Sequence, residues 1–384
     1  MSERSMPAAY AGREQTYLKH RVLREYLRRW AHKLGSTARY GARRLWYVDC
    51  FAGPWRSQDA DAADTSPEIG LDALEEAIET WRGGRGATLE GRAILVESHA
   101  GRAAALRERI LHREGRVRTE VLEGPFGDHV TTIKGMLGTD AAFLFVDPTG
   151  WKGADMAYIA ELAGRPFRDV LVNVMFDYLN RSLNAPLPFL REQLQRFFGL
   201  RDDEIPPDLD EAGLLAFYRA KLKERSGVKW AADLAIPYGD RERTFFRLVV
   251  GGHDPEVLRV FREVEEAVVG KEAAPVRDGA RRRRTEERTH QTTLNLQAPS
   301  VDERYRRMRD EDLPRAIDSI MYLVRDRSRQ FGNVWPLVLE GHHVTVRALA
   351  AEVTRVASAG RLAIEGMGAR ERVVKDEHTV KRPV

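Results

Sequence analysis

Five apolar runs, Leu45 to Val48, Ala93 to Val96, Val117 to Leu122, Ala142 to Val146 and Val170 to Met175, alternate with segments of helical patterning. Four such segments fall between them: Leu71 to Trp81, Arg102 to His112, His129 to Leu137 and Met156 to Leu162. Short apolar runs bounded by turn residues read as strands covered on both faces, and helices between them carry the chain back for parallel pairing. The alternation predicts an α/β domain built on a parallel, doubly wound sheet. An amphipathic helix over Tyr17 to Leu34, with Leu23, Tyr26, Leu27, Trp30 and Leu34 at helical spacing, precedes the first strand.

The pattern changes after Arg181. Pro186, Pro188, Pro206 and Pro207 interrupt the helix-like pieces Phe189 to Phe198 and Glu211 to Glu224, so residues 186–230 read as a helical insertion capping the active edge of the sheet. Ala232 to Pro237 and Thr244 to Val250 flank the turn Tyr238-Gly239-Asp240, which predicts an antiparallel hairpin and brings the sheet to seven strands. A helix over Glu256 to Val268 closes a domain of residues 15–270. Apolar periodicity is lost across residues 271–299, where Arg281 to Arg284 form an unbroken cationic run, and a mobile basic linker is expected. Helices at Leu313 to Val324 and Arg347 to Ser358, then Gly360 to Ile364 and Arg372 to Val374 as a β-hairpin, predict a winged-helix-like α+β domain over residues 300–384.

Bulk properties narrow the function. The 384 residues include 62 basic and 58 acidic side chains, a net charge of +4 that does not by itself call for a nucleic-acid partner. A single cysteine, Cys50, excludes an internal disulfide and a cysteine-cluster metal site, in keeping with a cytoplasmic protein. No leader-like apolar core or membrane-length apolar stretch is present, so neither export nor membrane insertion is expected. His342-His343 has no partner at ligand spacing, and no metal is assigned.

Ligands of an open α/β sheet bind at the carboxyl ends of its strands, beside the point where strand order reverses. Two strands end there in an acid: Tyr47-Val48-Asp49, followed by Cys50-Phe51-Ala52-Gly53-Pro54, and Val146-Asp147, followed by Pro148-Thr149-Gly150. Such a pair outlines a nucleotide-type cofactor site and an adjoining reaction site, as methyl transfer from S-adenosylmethionine requires. That reaction needs little from the protein beyond alignment of donor and acceptor and removal of a proton. Phe51 and Gly53 then belong to the cofactor loop, and Asp49 either meets the cofactor's ammonium or shapes that loop. Glu97, at the end of the second strand, stands where a carboxylate accepts from both ribose hydroxyls. Phe126 and Asp128, after the third strand, fall where adenine contacts are expected, although an N-cap aspartate explains Asp128 equally well. Asp147 and Pro148 are the catalytic candidates; Thr149, Trp151, Asn180 and Arg181 are the substrate-side candidates, Trp151 either as a stacking surface or as packing. The arginine run and the C-terminal domain offer a nucleic-acid surface, against which stands the plainer reading of a solvated tail.

These passages resemble the bacterial three-Cys-motif partner proteins, which are similar to class I S-adenosylmethionine-dependent methyltransferases. The likeness rests on Lys19-His20, Tyr26-Leu27-Arg28-Arg29-Trp30, Tyr47 to Pro54, Ser66-Pro67, Val146 to Gly150 and Asn180-Arg181, in that order, within residues 15–270. It implies a Rossmann-like sheet, S-adenosylmethionine as cofactor, and a partner carrying a three-cysteine motif encoded nearby. Trp55 and Thr149 depart from the family's usual glycine and aromatic. Two function classes therefore stand: a methyltransferase acting on an unidentified acceptor, or a non-catalytic cofactor- or nucleic-acid-binding partner.

Overall fold

A computed structural model describes residues 6–53, 65–82, 88–175, 188–200, 209–291, 299–368 and 370–383. The chain divides into two compact units, Met1–Val257 with Val276–Leu296, and Leu258–Pro275 with Gln297–Val384.

In the first unit, helix α1 (Glu14–Gly35) leads into β1 (Arg43–Asp49), α2 (Ser66–Arg82), β2 (Leu89–Glu97), α3 (Ala100–His112), β3 (Arg118–Glu123), α4 (Phe126–Leu137), β4 (Ala141–Val146), α5 (Met156–Ala163) and β5 (Arg168–Val174). Then follow α6 (Pro188–Phe198), α7 (Glu211–Ser226), β6 (Trp230–Pro237) and β7 (Thr244–Gly252). The strands lie in the order β3-β2-β1-β4-β5-β7-β6. Pairing is parallel from β3 through β5, and β7 runs antiparallel to both β5 and β6. This is the doubly wound, seven-stranded, Rossmann-like sheet that the alternation implied, with its order reversing between β1 and β4.

Both faces of the central strands are buried, which explains their continuous apolar runs. On one face Tyr47 stacks on Phe143 with centroids 6.4 Å apart, and Tyr26 and Trp30 of α1 close on Phe143 at 5.5 and 5.9 Å. A Cβ on Gly70 of α2 would lie 2.1 Å from the Tyr47 ring, so only glycine lets that helix pack so close to β1. On the other face Trp46, Val48, Ile94 and Leu144 meet apolar side chains of α4, α5 and α7.

Three expectations are corrected. The described parts of the 186–230 segment, residues 188–200 and 209–230, pack into the core rather than capping the edge: Leu194, Phe197 and Phe198 of α6 and Leu214, Leu215, Tyr218 and Leu222 of α7 are buried together with Val228, Ala231 and Val249. Pro188 opens α6, and Pro186, Pro206 and Pro207 lie outside the described residues. The 271–299 linker is instead largely helix α9 (Ala273–Thr289), preceded by α8 (Glu256–Glu265) and a π-helical turn at Glu266–Glu272. Charge hid that helix. Arg277 is fully buried and donates to the carbonyls of Tyr238 and Arg241 and to Glu242 at 2.9 Å, while Arg281 pairs with Glu242, Arg283 with Glu14 and Arg284 with Asp240.

The third correction lies in the second unit. Its elements run α10 (Glu303–Leu323), β8 (Arg329–Gln330), α11 (Trp335–Leu339), α12 (Val346–Ser358), β9 (Ala363–Glu365) and β10 (Thr379–Lys381), and its antiparallel sheet has the order β8-β10-β9. The second hairpin strand is therefore Thr379–Lys381 rather than Arg372 to Val374, because Val380, fully buried, is the side chain that anchors it. Asp302 caps α10 by accepting from the amides of Arg304 and Tyr305, and Thr345 caps α12 by accepting from Ala348. The two histidines of His342-His343 each lie beside a carboxylate. His343 Nδ1 lies 2.7 Å from Glu265, which also accepts from the buried Arg262, and His342 lies 3.6 Å from Asp312.

Candidate functional site

Asp49, Glu97 and Asp147 lie along the carboxyl edge, at the ends of β1 and β2 and just after β4. The chain leaving β1 is pinned to both neighbours: the Cys50 amide donates to the Phe145 carbonyl at 2.9 Å and the Ala52 amide to the Val96 carbonyl at 2.8 Å. Asp49 sits beneath this loop, fully buried, accepting from the Phe51 amide at 3.2 Å and the Tyr47 hydroxyl at 3.1 Å. Burial raises its pKa to about 6, against the pull of hydrogen bonds from Ser66, Phe51 and Tyr47. Of these donors the Phe51 amide belongs to the loop, while Tyr47 stands on β1 and Ser66 opens α2. Cys50, buried under the same loop, has its thiol pKa pushed up by burial and by Asp49, which leaves it a neutral, inert core group.

Glu97 is buried but for 3% of its side chain. Its Oε1 collects the His99 amide at 2.7 Å and the Arg102 guanidinium at 3.0 Å. Among the described residues no donor reaches Oε2. Phe51 packs on Phe126 with ring centroids 5.8 Å apart, and Phe126 meets Tyr158 edge-on at 6.0 Å. Phe126 therefore belongs to the core beneath the loop, and Asp128 is exposed in the first turn of α4 rather than at its N-cap, which Pro125 occupies. Gly53 is buried beside Ala52 at the last described position of the loop.

After β4, Asp147 Oδ2 lies 2.5 Å from Lys19 Nζ, and Oδ1 accepts from Asn173 Nδ2 at 2.6 Å. Lys19 comes from α1 and also lies 4.7 Å above the Phe246 ring. Asn173, on β5, is fully buried; the carboxylate fixes the orientation of its amide, and among the described residues its Oδ1 has no hydrogen-bond partner. Pro148 is buried, Thr149 exposed, and Gly150 turns the chain at φ 96, in the left-handed region that favours glycine. Trp151 is buried in the core with Ala154 and Met156, which removes it as a stacking surface for substrate. Asn180 and Arg181 lie outside the described residues.

Sequence reading did not single out Lys19 as a site residue. Its signal was a charged side chain on the buried stripe of α1, one residue after Leu18 and three before Val22. Arg102 likewise escaped notice, being one of many arginines.

Strand order and edge placement define a class: a doubly wound sheet of the class I methyltransferase arrangement, with acidic residues gathered where the order reverses. No protein-family model and no curated protein matches the chain. Among solved structures it is similar to an O-methyltransferase from Bacillus cereus crystallised with S-adenosylhomocysteine, at 12% identity and TM-score 0.32, covering 60% of this chain and 80% of that one. It is also similar to an S-adenosylhomocysteine-bound Podospora anserina methyltransferase, at 14% identity and TM-score 0.27, covering 66% and 100%. A Legionella pneumophila protein gives 14% identity and TM-score 0.34, covering 67% and 94%. Likeness at this level carries no weight for function; the fold assignment rests on the chain's own strand order. Among the described residues no helix is long and apolar enough to cross a membrane.

Proposed function

We propose that the first unit is an S-adenosylmethionine-dependent methyltransferase. The observation that carries this is Glu97, a buried carboxylate at the end of the strand next to the order reversal, with Oε1 fixed by His99 and Arg102 and Oε2 left without a described donor. A carboxylate so held suits a ribose diol, which presents two hydroxyl donors. The pinned loop Cys50 to Gly53 brings backbone close beside it, and Asp128 extends the same edge. When bound, S-adenosylmethionine supplies a sulfonium-activated methyl group. The chain's own task is then to orient an acceptor and take its proton, for which Asp147, held by Lys19 and Asn173, is the candidate.

A second reading has its own observation. Both Asp147 oxygens already have donors, which suits a module that binds cofactor without turnover. Supporting a macromolecular partner is the element order of the second unit, helix, strand, two helices and two strands, which is that of a winged helix; a nucleic acid and a three-cysteine-motif protein are the partners proposed. Incubating the full-length protein with S-adenosylmethionine carrying a labelled methyl group and with total RNA, DNA and protein of the source organism separates the readings. Labelled product supports the enzyme. Cofactor binding without label in any fraction supports the binding module.

A further inference from the structure

At the opposite, amino-terminal edge of the same sheet, arginines face one another without enough acids to neutralise them. Register places Arg92 of β2 directly opposite Arg118 of β3 on one side and Trp46 of β1 on the other. Neighbouring strands lie only about 4.8 Å apart, and like charges opposite one another are destabilising. Glu90 is the acid at hand, but its Oε2 already accepts from Arg44 at 3.0 Å and lies 3.6 Å from Arg92 Nη2. Among the described residues the buried Nε of Arg92 has no hydrogen-bond partner, while its guanidinium lies 5.7 Å from the Trp46 ring. Among the described residues no carboxylate pairs with Arg82, Arg116 or Arg118.

These side chains line one cleft of about 400 Å³, where Arg82, Arg92, Arg116 and Arg118 outnumber the single carboxylate of Glu90. We propose that this cleft is a binding site for phosphate groups. An opposed arginine pair with an unmet N–H is relieved by a tetrahedral oxyanion, which accepts several charge-assisted hydrogen bonds from two guanidinium forks at once. The source is either a small phosphate compound or the backbone of a nucleic acid; the recognised chemistry is the same. Arg116 also borders a neighbouring cleft lined by Glu75, Glu79 and Glu114, so the informative positions are Arg92 and Arg118. The site is independent of the cofactor reading, since it lies at the other end of the strands.

Thermal unfolding of the full-length protein in chloride, phosphate or pyrophosphate, at matched ionic strength and pH, tests the proposal. Phosphate and pyrophosphate raise the melting temperature by at least about 2 °C over chloride, as a ligand of the folded state must. Arg92→Gln and Arg118→Gln lose that increment, yet in chloride melt no lower than the parent, because an opposed charge has gone. Arg118 is exposed, so its variant remains informative even if Arg92→Gln fails to fold. A labelled single-stranded oligonucleotide added to the same three proteins distinguishes the sources. Weaker, less salt-dependent binding by the variants assigns a nucleic-acid backbone; an increment from free phosphate alone, with equal oligonucleotide binding by all three proteins, assigns a small ligand. Equal phosphate increments in parent and variants, or none above chloride, overturn the proposal.

Discussion

Lys19 and Asp147, 128 residues apart in sequence, meet at 2.5 Å at the carboxyl edge of the sheet. Their side chains are 8% and 12% exposed, so the pair is largely withdrawn from water. Breaking one partner of such a pair costs about 3 kcal/mol or more, because the other charge is left buried. Lys19→Met is therefore expected to destabilise the protein by roughly that amount, and Lys19→Met with Asp147→Asn by clearly less than the sum of the single variants. Urea denaturation of the four proteins measures the coupling. Additive losses would mean that the contact contributes nothing.

Asp147→Asn keeps the shape of the side chain and its place beside Asn173 but removes the charge. If the carboxylate takes or polarises the acceptor's proton, turnover falls about a hundredfold or more while cofactor affinity holds. Once an acceptor is identified, near-normal turnover would leave Asp147 as a structural partner of Lys19 and Asn173.

Two buried aspartates set a pH dependence. Burial, eased by a hydrogen bond from Tyr26, raises Asp169 from 3.8 to about 7, and burial raises Asp49 from 3.8 to about 6. Both bind a proton more tightly in the folded than in the unfolded chain, so their contribution to stability is complete below about pH 4 and is lost as pH rises through about 6 and about 7. Asp169→Asn, which can still accept from Tyr26, should reduce the loss between pH 5 and pH 8 by about 2 kcal/mol or more. Unfolding free energies at the two pH values check this; an unchanged difference in the variant contradicts it.

On α9 the arginines are expected to divide by burial. Arg277→Met leaves the Tyr238 and Arg241 carbonyls without this donor and takes one of two arginines from Glu242, and should cost about 2–4 kcal/mol. Arg281→Ala, at a side chain 38% exposed, should cost less than about 1 kcal/mol. Equal, small effects would restore the view of this segment as a solvated linker. Because Val276–Leu296 belongs to the first unit, removing everything beyond residue 276 would damage that unit, and charge variants are the cleaner probe.

The sheet was legible because its central strands are buried on both faces, so Tyr47, Val48, Phe143 and Leu144 all had to be apolar. The acids at the strand ends were legible for the opposite reason, as charges that interrupt such runs. Hidden were the features that depend on tertiary partners. A helix such as α9, whose arginines are satisfied by Glu14, Asp240 and Glu242 far away in sequence, shows no apolar period. Trp151 lay in a polar loop and gave no sign of which way it turned. Lys19 could have been noticed, since a lysine on an apolar stripe needs a partner, but only the fold identifies that partner as Asp147.

The central claim is that Glu97 holds a ribose at the end of β2, and calorimetric titration of S-adenosylhomocysteine into the full-length protein and Glu97→Ala tests it most directly. The account expects saturable binding by the parent and a loss of about 1–3 kcal/mol in the folded variant, the range for hydrogen bonds to a charged group. No binding by the parent, or equal affinity in the two proteins, would contradict it.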